Sequence, residues 1–139
     1  MQFVKILLQH PETDVNEEDV NGDNAATYAL KNNMIDCLSC ILARGGLNLN
    51  HKDKQGQTLL TIAMKNQEFD IVKMLVKDEE VDLDVVDQEN NSFPFLLLNS
   101  ENIELFELVI QVLINKSSFN VLTFKYINLS ANALKLLPN

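Results

Sequence analysis

The amino-acid sequence predicts an all-α solenoid about 3.5 stacked helix–turn–helix units long. Three observations carry this expectation. A constant step of 34 residues brings Asp19, Asp53 and Asp87 into one column, and the columns Gly22, Gly56, Asn90 and Asn24, Thr58, Ser92 follow it. The same step aligns apolar residues in four successive units, as in Phe3, Cys37, Ile71, Leu105 and in Leu7, Ile41, Leu75, Val109. Within each unit the apolar columns fall at i, i+1, i+4 and i+5, the buried stripe of an amphipathic helix. A fixed period of this size marks stacked repeats, in which residues far apart in the chain become neighbours in space.

The first unit, residues 1–18, opens inside the longer helix at Phe3-Val4-Lys5-Ile6-Leu7-Leu8 and carries no short helix before it. A solenoid unit buries its apolar stripe only against neighbours. The chain is therefore expected to be a piece of a longer array, or a stack with a thin start. The units 19–52, 53–86 and 87–116 each place a shorter helix ahead of the longer one, at 25–32, 59–66 and 93–100. Each short helix follows a residue able to accept a hydrogen bond from the first free amides, namely Asn24, Thr58 or Ser92. The column Ala29, Ala63, Leu97 is mostly small, as suits two closely approaching helices. Polar extended stretches at Asp14-Val15-Asn16, Asn48-Leu49-Asn50 and Asp82-Leu83-Asp84 close the units.

The run Asp53-Lys54-Gln55-Gly56-Gln57-Thr58-Leu59-Leu60-Thr61-Ile62-Ala63, followed by Ile71-Val72-Lys73-Met74-Leu75, resembles an ankyrin repeat. The resemblance covers about residues 1–114, with the last unit degenerate. No unit keeps the full Thr-Pro-Leu-His signature of that family, and Asn33, Gln67 and Glu101 stand where its inter-helix glycine is usual. The 34-residue step also implies one extra residue near Gly45-Gly46 and Glu79-Glu80, where longer or bulged fingers are expected.

Positions that vary between units are expected to face solvent. The resemblance implies that these finger tips, with the exposed side of the short helices, form a concave ledge that holds another protein. The candidate contact residues are Asn21, Asp23, Lys31, Lys52, Lys54, Gln55, Gln57, Lys65, Asn66, Gln88, Glu89 and Asn91. Gly22, Asp53, Gly56, Thr58, Ala63 and Leu75 are expected to be structural. Ankyrin arrays also resemble substrates of an asparaginyl hydroxylase at the Asn closing each unit, matched here by Asn16 and Asn50.

After Lys116 the columns dissolve. Residues 117–139 contain Phe124, Ile127, Leu129, Asn132, Leu134 and Leu137 at the spacing of one leucine-rich repeat, which implies a short strand-like segment or a cap. Ankyrin units followed by leucine-rich units resemble the domain order of leucine-rich-repeat kinases of the Roco group. That order implies, as the alternative to a free-standing adaptor, an intramolecular spacer or regulatory wall that binds its own chain.

The charge balance narrows the partners. With 20 acidic against 11 basic residues the formal charge is −9, the wrong sign for nucleic acid or anionic lipid and a fit for a basic protein surface. No apolar run approaches the roughly 20 residues of a membrane-spanning helix, and two cysteines make no disulfide framework, so an intracellular location is expected. Cys37 and Cys40 resemble half a zinc site, but their columns hold Ile71, Leu105 and Met74, Leu108, which reads them as small core residues. There is no phosphate-binding glycine loop and no nucleophile elbow. Neither a cofactor, a metal nor a catalytic centre is expected.

Overall fold

The computed structural model describes residues 2–115. The leucine-rich segment expected at 117–139 lies outside the described residues. Seven helices follow one another: α1 Gln2–Gln9, α2 Ala25–Lys31, α3 Ile35–Arg44, α4 Leu59–Lys65, α5 Phe69–Lys77, α6 Phe93–Asn99 and α7 Ile103–Asn115. Extended pairing among the described residues is limited to one antiparallel bridge between Val86 and Ser92. Helices α2 and α3, α4 and α5, and α6 and α7 pack as hairpins, while the short helices α2, α4 and α6 stack in a row. The long helices touch as α1 with α3 and α5 with α7. The chain is thus the all-α helical solenoid that the 34-residue columns predict.

Each short helix begins because a polar side chain replaces its missing hydrogen-bond acceptor. Asn24 Oδ1 accepts from the Thr27 amide at 3.0 Å, Thr58 Oγ1 from the Thr61 amide at 3.3 Å, and Ser92 Oγ from the Phe95 amide at 3.4 Å. The Thr61 hydroxyl in turn accepts from the Thr58 amide at 3.0 Å, which closes a reciprocal cap. Pro94 is the second residue of α6, within the first turn, where its missing N–H costs nothing.

Each short helix ends in a left-handed residue. Asn33 (φ 56°), Gln67 (φ 59°) and Glu101 (φ 56°) occupy the positions where the family pattern has glycine. Around the first two, the Met34 amide donates to the Ala29 carbonyl at 2.7 Å and the Glu68 amide to the Ala63 carbonyl at 2.9 Å, the long reverse bond that seals a helix end. A side chain at such a dihedral costs about 1–2 kcal/mol. Part of that cost is relieved by glycine, so Gln67→Gly is expected to raise the unfolding free energy by about 0.5–1 kcal/mol. A urea titration that shows the variant less stable than the parent would contradict this assignment.

The fingers are built by the Asp column. Asp19 Oδ1 accepts from the amides of Asn21 and Asp23, Asp53 Oδ1 from Gln55 and Gln57, and Asp87 Oδ1 from Glu89 and Asn91, all within 2.8–3.0 Å. The tips have the same length in all three cases. Gly22, Gly56 and Asn90 each donate an amide three residues back, to Asp19, Asp53 and Asp87. The longer fingers expected at Gly45-Gly46 and Glu79-Glu80 are not found at the tips. The extra length sits at the finger base, where Gly45 and Gly46 both hold left-handed dihedrals after α3.

That base is tied to the next unit by asparagine. Asn16 Nδ2 donates to the Gly46 carbonyl at 2.8 Å while its Oδ1 accepts from the Asn48 amide at 2.7 Å, and Asn50 treats Glu80 and Asp82 in the same way. Gly22 is the second point of close approach between units. A Cβ there would lie 2.9 Å from the Lys54 backbone nitrogen, whereas one on Gly56 would meet nothing within 4 Å. Both residues hold a positive φ, 76° and 78°. Gly22→Ala is therefore expected to cost about 2 kcal/mol and Gly56→Ala about 1 kcal/mol, by the same titration. Equal losses would show that backbone dihedral alone, not the contact with the second finger, fixes the glycine.

One core runs through the stack, including Leu38, Leu60, Val72, Leu75, Phe93, Leu97 and Leu105, each 0–1% exposed. The expected core cysteines are only half-buried, and of the two Cys37 packs against that core. Both sit on α3, and the partial exposure of Cys40 matches that of its column mate Met74, which is 43% exposed.

Candidate functional site

Between the first two fingers and α2 lies a recess of about 400 Å³, lined by Asn21, Asp23, Tyr28, Lys31, Asn32, Lys54 and Gln55. The Asp19 and Asp53 turns present Asn21, Lys54 and Gln55 from above, and the last turn of α2 presents Tyr28, Lys31 and Asn32 from below. Five of the candidate contact residues, Asn21, Asp23, Lys31, Lys54 and Gln55, are thus brought together here. Lys54 donates from Nζ to the Val20 carbonyl, and Gln55 is hydrogen-bonded to Gln88 of the third finger, so neighbouring tips are joined edge to edge.

Other expected contact residues extend this row without entering the recess. Lys52, Lys65, Asn66, Gln88 and Glu89 are exposed, and Asn91 is half-buried. Asn66 also donates from Nδ2 to the Leu30 carbonyl at 3.2 Å, a link to the previous short helix.

Two expected contact residues prove to be interior. Asp23 and Gln57 are 6% and 4% exposed. Each closes its finger by donating its amide to the column Asp, which turns the residue inward at the base of the short helix. Variation between units therefore does not mean exposure at this position.

Lys31 is exposed, but its ammonium is engaged between two fingers. Its Nζ lies 2.6 Å from Asp23 Oδ1 and 2.7 Å from Asp53 Oδ2, with the lysine side chain 27% exposed and the two carboxylates 5% and 1%. This ammonium clamps the finger of its own unit to the finger of the next. Burial pulls the Lys31 pKa down, but the hydrogen bonds and charges of Asp23 and Asp53 outweigh it and raise the group above its usual value. For Asp53, burial pushes upward and is outweighed by the Lys31 hydrogen bond and the Gln57 and Gln55 amides, so its pKa falls below the usual carboxylate value. Asp87 is lowered too: against burial, the hydrogen bonds of Asn91 and Glu89 and the charge of Lys65 favour the anion.

His51, just before the second finger, is tied back to the first. Its Nε2 is 2.7 Å from the Gly22 carbonyl, which the Nε2–H tautomer serves as donor, and its Nδ1 lies 3.6 Å from Glu18 Oε1. The ring is committed to the neighbouring finger rather than to an acid–base pair with Asp53. Among the described residues no three His, Cys, Asp or Glu side chains are grouped to hold a metal ion. Nor is any described helix long and apolar enough to cross a membrane.

Sequence reasoning passed over Tyr28 and Asn32. Tyr28 shares its column with Ile62 and Leu96 and is 50% exposed. The signal was an aromatic residue with a polar tip in an aliphatic column. A family model described as ankyrin repeats, in three copies, matches residues 1–87. No curated protein matches the chain.

Proposed function

The chain belongs to the ankyrin-repeat family, and from that premise we propose that it is an adaptor that captures another protein on the ledge formed by its finger tips and short helices. Ankyrin repeats are generally protein–protein interaction modules and typically non-catalytic. The observation that carries the proposal is the recess under the first two fingers, where an exposed tyrosine and the tips of Asn21, Lys54 and Gln55 converge on one concave surface. Aromatic and amide side chains of this kind supply contact area and adaptable hydrogen bonds at protein interfaces.

The contact set is narrower than variability alone gives. It comprises Asn21, Tyr28, Asn32, Lys52, Lys54, Gln55, Lys65, Asn66, Gln88 and Glu89, with Asp23, Lys31 and Gln57 serving the scaffold beneath. The units carrying it run 19–52, 53–86 and 87–116. An acidic chain of net charge −9 favours a partner with a basic or mixed surface.

Affinity capture with the immobilised full chain tests this, using Tyr28→Ala and Gln55→Ala against Glu79→Ala as a control on the opposite, finger-base side. The ledge variants are expected to lose captured partners at least tenfold, the loss of a well-placed contact residue. Gln55→Ala should change unfolding free energy by less than about 0.5 kcal/mol. Undiminished capture by both ledge variants would remove the ledge as the binding surface.

A further inference from the structure

A recess of about 210 Å³ lies on the finger-base side of the stack, between units 19–52 and 53–86. Its apolar wall includes Leu42, Leu47, Leu49 and Met74, its two charged members are Asp78 and Glu80, and no Lys, Arg or His lines it. The same columns are closed elsewhere. Leu42, Leu47 and Leu49 are half-buried, whereas Val76, Val81 and Leu83, one unit on, are 0%, 6% and 4% exposed. Val15, one unit back from Leu49, is 4% exposed. Gly45 and Gly46 leave the space open, because they line it without side chains where the next unit has Glu79 and Glu80. A Cβ on either glycine would meet nothing within 4 Å. All of the lining falls within residues 42–80, away from both ends of the described stretch.

Size and charge together show what it fits. The volume is below the roughly 300 Å³ at which small-molecule sites begin, and suits one side chain. A single apolar anchor seated in such a pocket can carry much of the energy of a protein contact. Glu80 is exposed and forms no ion pair among the described residues. It belongs to the stretch Asp78 to Asp84, which holds five acidic residues and no basic one, so the recess opens into a negative field. We propose that this recess takes a leucine side chain from a segment of a basic partner protein, with a lysine adjoining that leucine placed on the Glu80 carboxylate. The inference does not rest on the ledge, and Glu79, the control residue for the ledge, does not line the recess.

The probe is the acetylated and amidated peptide Gly-Ser-Leu-Lys-Ser-Gly, titrated into the isotope-labelled full chain and followed by amide NMR shifts. Weak saturable binding is expected, with the shifts concentrated at residues 42–49 and 74–80. A peptide with alanine in place of the leucine should bind at least tenfold more weakly, the loss of one buried apolar side chain. Met74→Lys, at a position 43% exposed, sets a like charge against the peptide and should weaken binding at least tenfold. Glu80→Gln leaves the Glu80 backbone bonds to Asp78 and Asn50 in place, removes the charge, and should weaken binding about threefold. A peptide with glutamine in place of the lysine should lose the same factor against the parent chain and nothing further against Glu80→Gln, because the two changes delete one interaction.

No saturable binding, shifts centred elsewhere, full binding by the alanine peptide, or additive losses in the two charge changes would each overturn the proposal. So would two other occupants of the recess. One is this chain's own residues 116–139, released by the peptide and seen as shifts in their amides; the other is a second copy of the chain, seen in sedimentation as a dimer that Met74→Lys dissociates. The ledge is followed separately through Gln55→Ala. That variant should leave peptide binding unchanged, and its failure to affect partner capture would count against the ledge alone.

Discussion

Leu75→Ala is expected to lower the unfolding free energy by about 2–5 kcal/mol, the range for emptying a leucine site in a packed core. Leu75 sits in α5 at 1% exposure and belongs to the column that also supplies Ile41 and Val109. It lies where α5 meets its own short helix, and beside a recess lined by Leu42, Leu47 and Leu49. New space at that position adjoins the existing recess, so the surrounding helices cannot close it by a small shift. In a solenoid each unit is stabilised only by itself and its neighbours, and the loss falls on the interfaces in the middle of the stack. The comparison is Met74→Ala, one residue earlier and 43% exposed, which should change stability by about 0.5 kcal/mol. Urea unfolding of both variants checks it. Similar losses at the two positions would mean that the assigned helix face is wrong.

Asp53→Ala is expected to cost about 2–4 kcal/mol, because one side chain holds three donors. Its Oδ1 accepts the amides of Gln55 and Gln57, which shape the second finger, and its Oδ2 receives Lys31 from the unit before. Asp53→Asn keeps the amide acceptor and loses only the charge opposite Lys31, so it should cost about 1 kcal/mol. A near-equal cost for the two would assign the whole effect to the ion pair and none to the turn.

The clamp also sets a pH dependence. Asp53 and Asp87 are more acidic in the folded chain than their usual value of 3.8, so the stability they contribute is present above about pH 4. It is lost as pH falls through the lower folded values. Lys31 is shifted the other way, above 10.5; its contribution is complete below that value and is lost as pH rises through the folded one. Urea midpoints between about pH 2 and 6 should therefore fall more steeply for the parent chain than for Asp53→Asn. Parallel curves would show that Asp53 carries no part of the acid sensitivity.

Much of this architecture is legible along one dimension. The caps at Asn24, Thr58 and Ser92 could be read directly, because a side chain that accepts from an amide three residues ahead needs no information from the rest of the molecule. The buried columns could be read because stacked units reuse the same positions. The misplacement of Asp23 and Gln57 has a physical cause. Residues two apart in a tight turn point in unrelated directions, and variation between units does not tell which of them faces solvent. Lys31 and Asp53 are 22 residues apart, on no common column, so periodicity could not pair them. Tyr28 drew no attention in the sequence because its column is otherwise aliphatic, Ile62 and Leu96, yet it is 50% exposed.

By itself the sequence determined the period, the helix pairs, the capping residues and the identity of the core, since each follows from local hydrogen bonding or from apolar residues recurring at a constant step. Only the tertiary structure decided which polar side chains are spent between units and which are left for a partner, because an ammonium or a carboxylate is committed by whatever lies within about 3 Å of it in three dimensions.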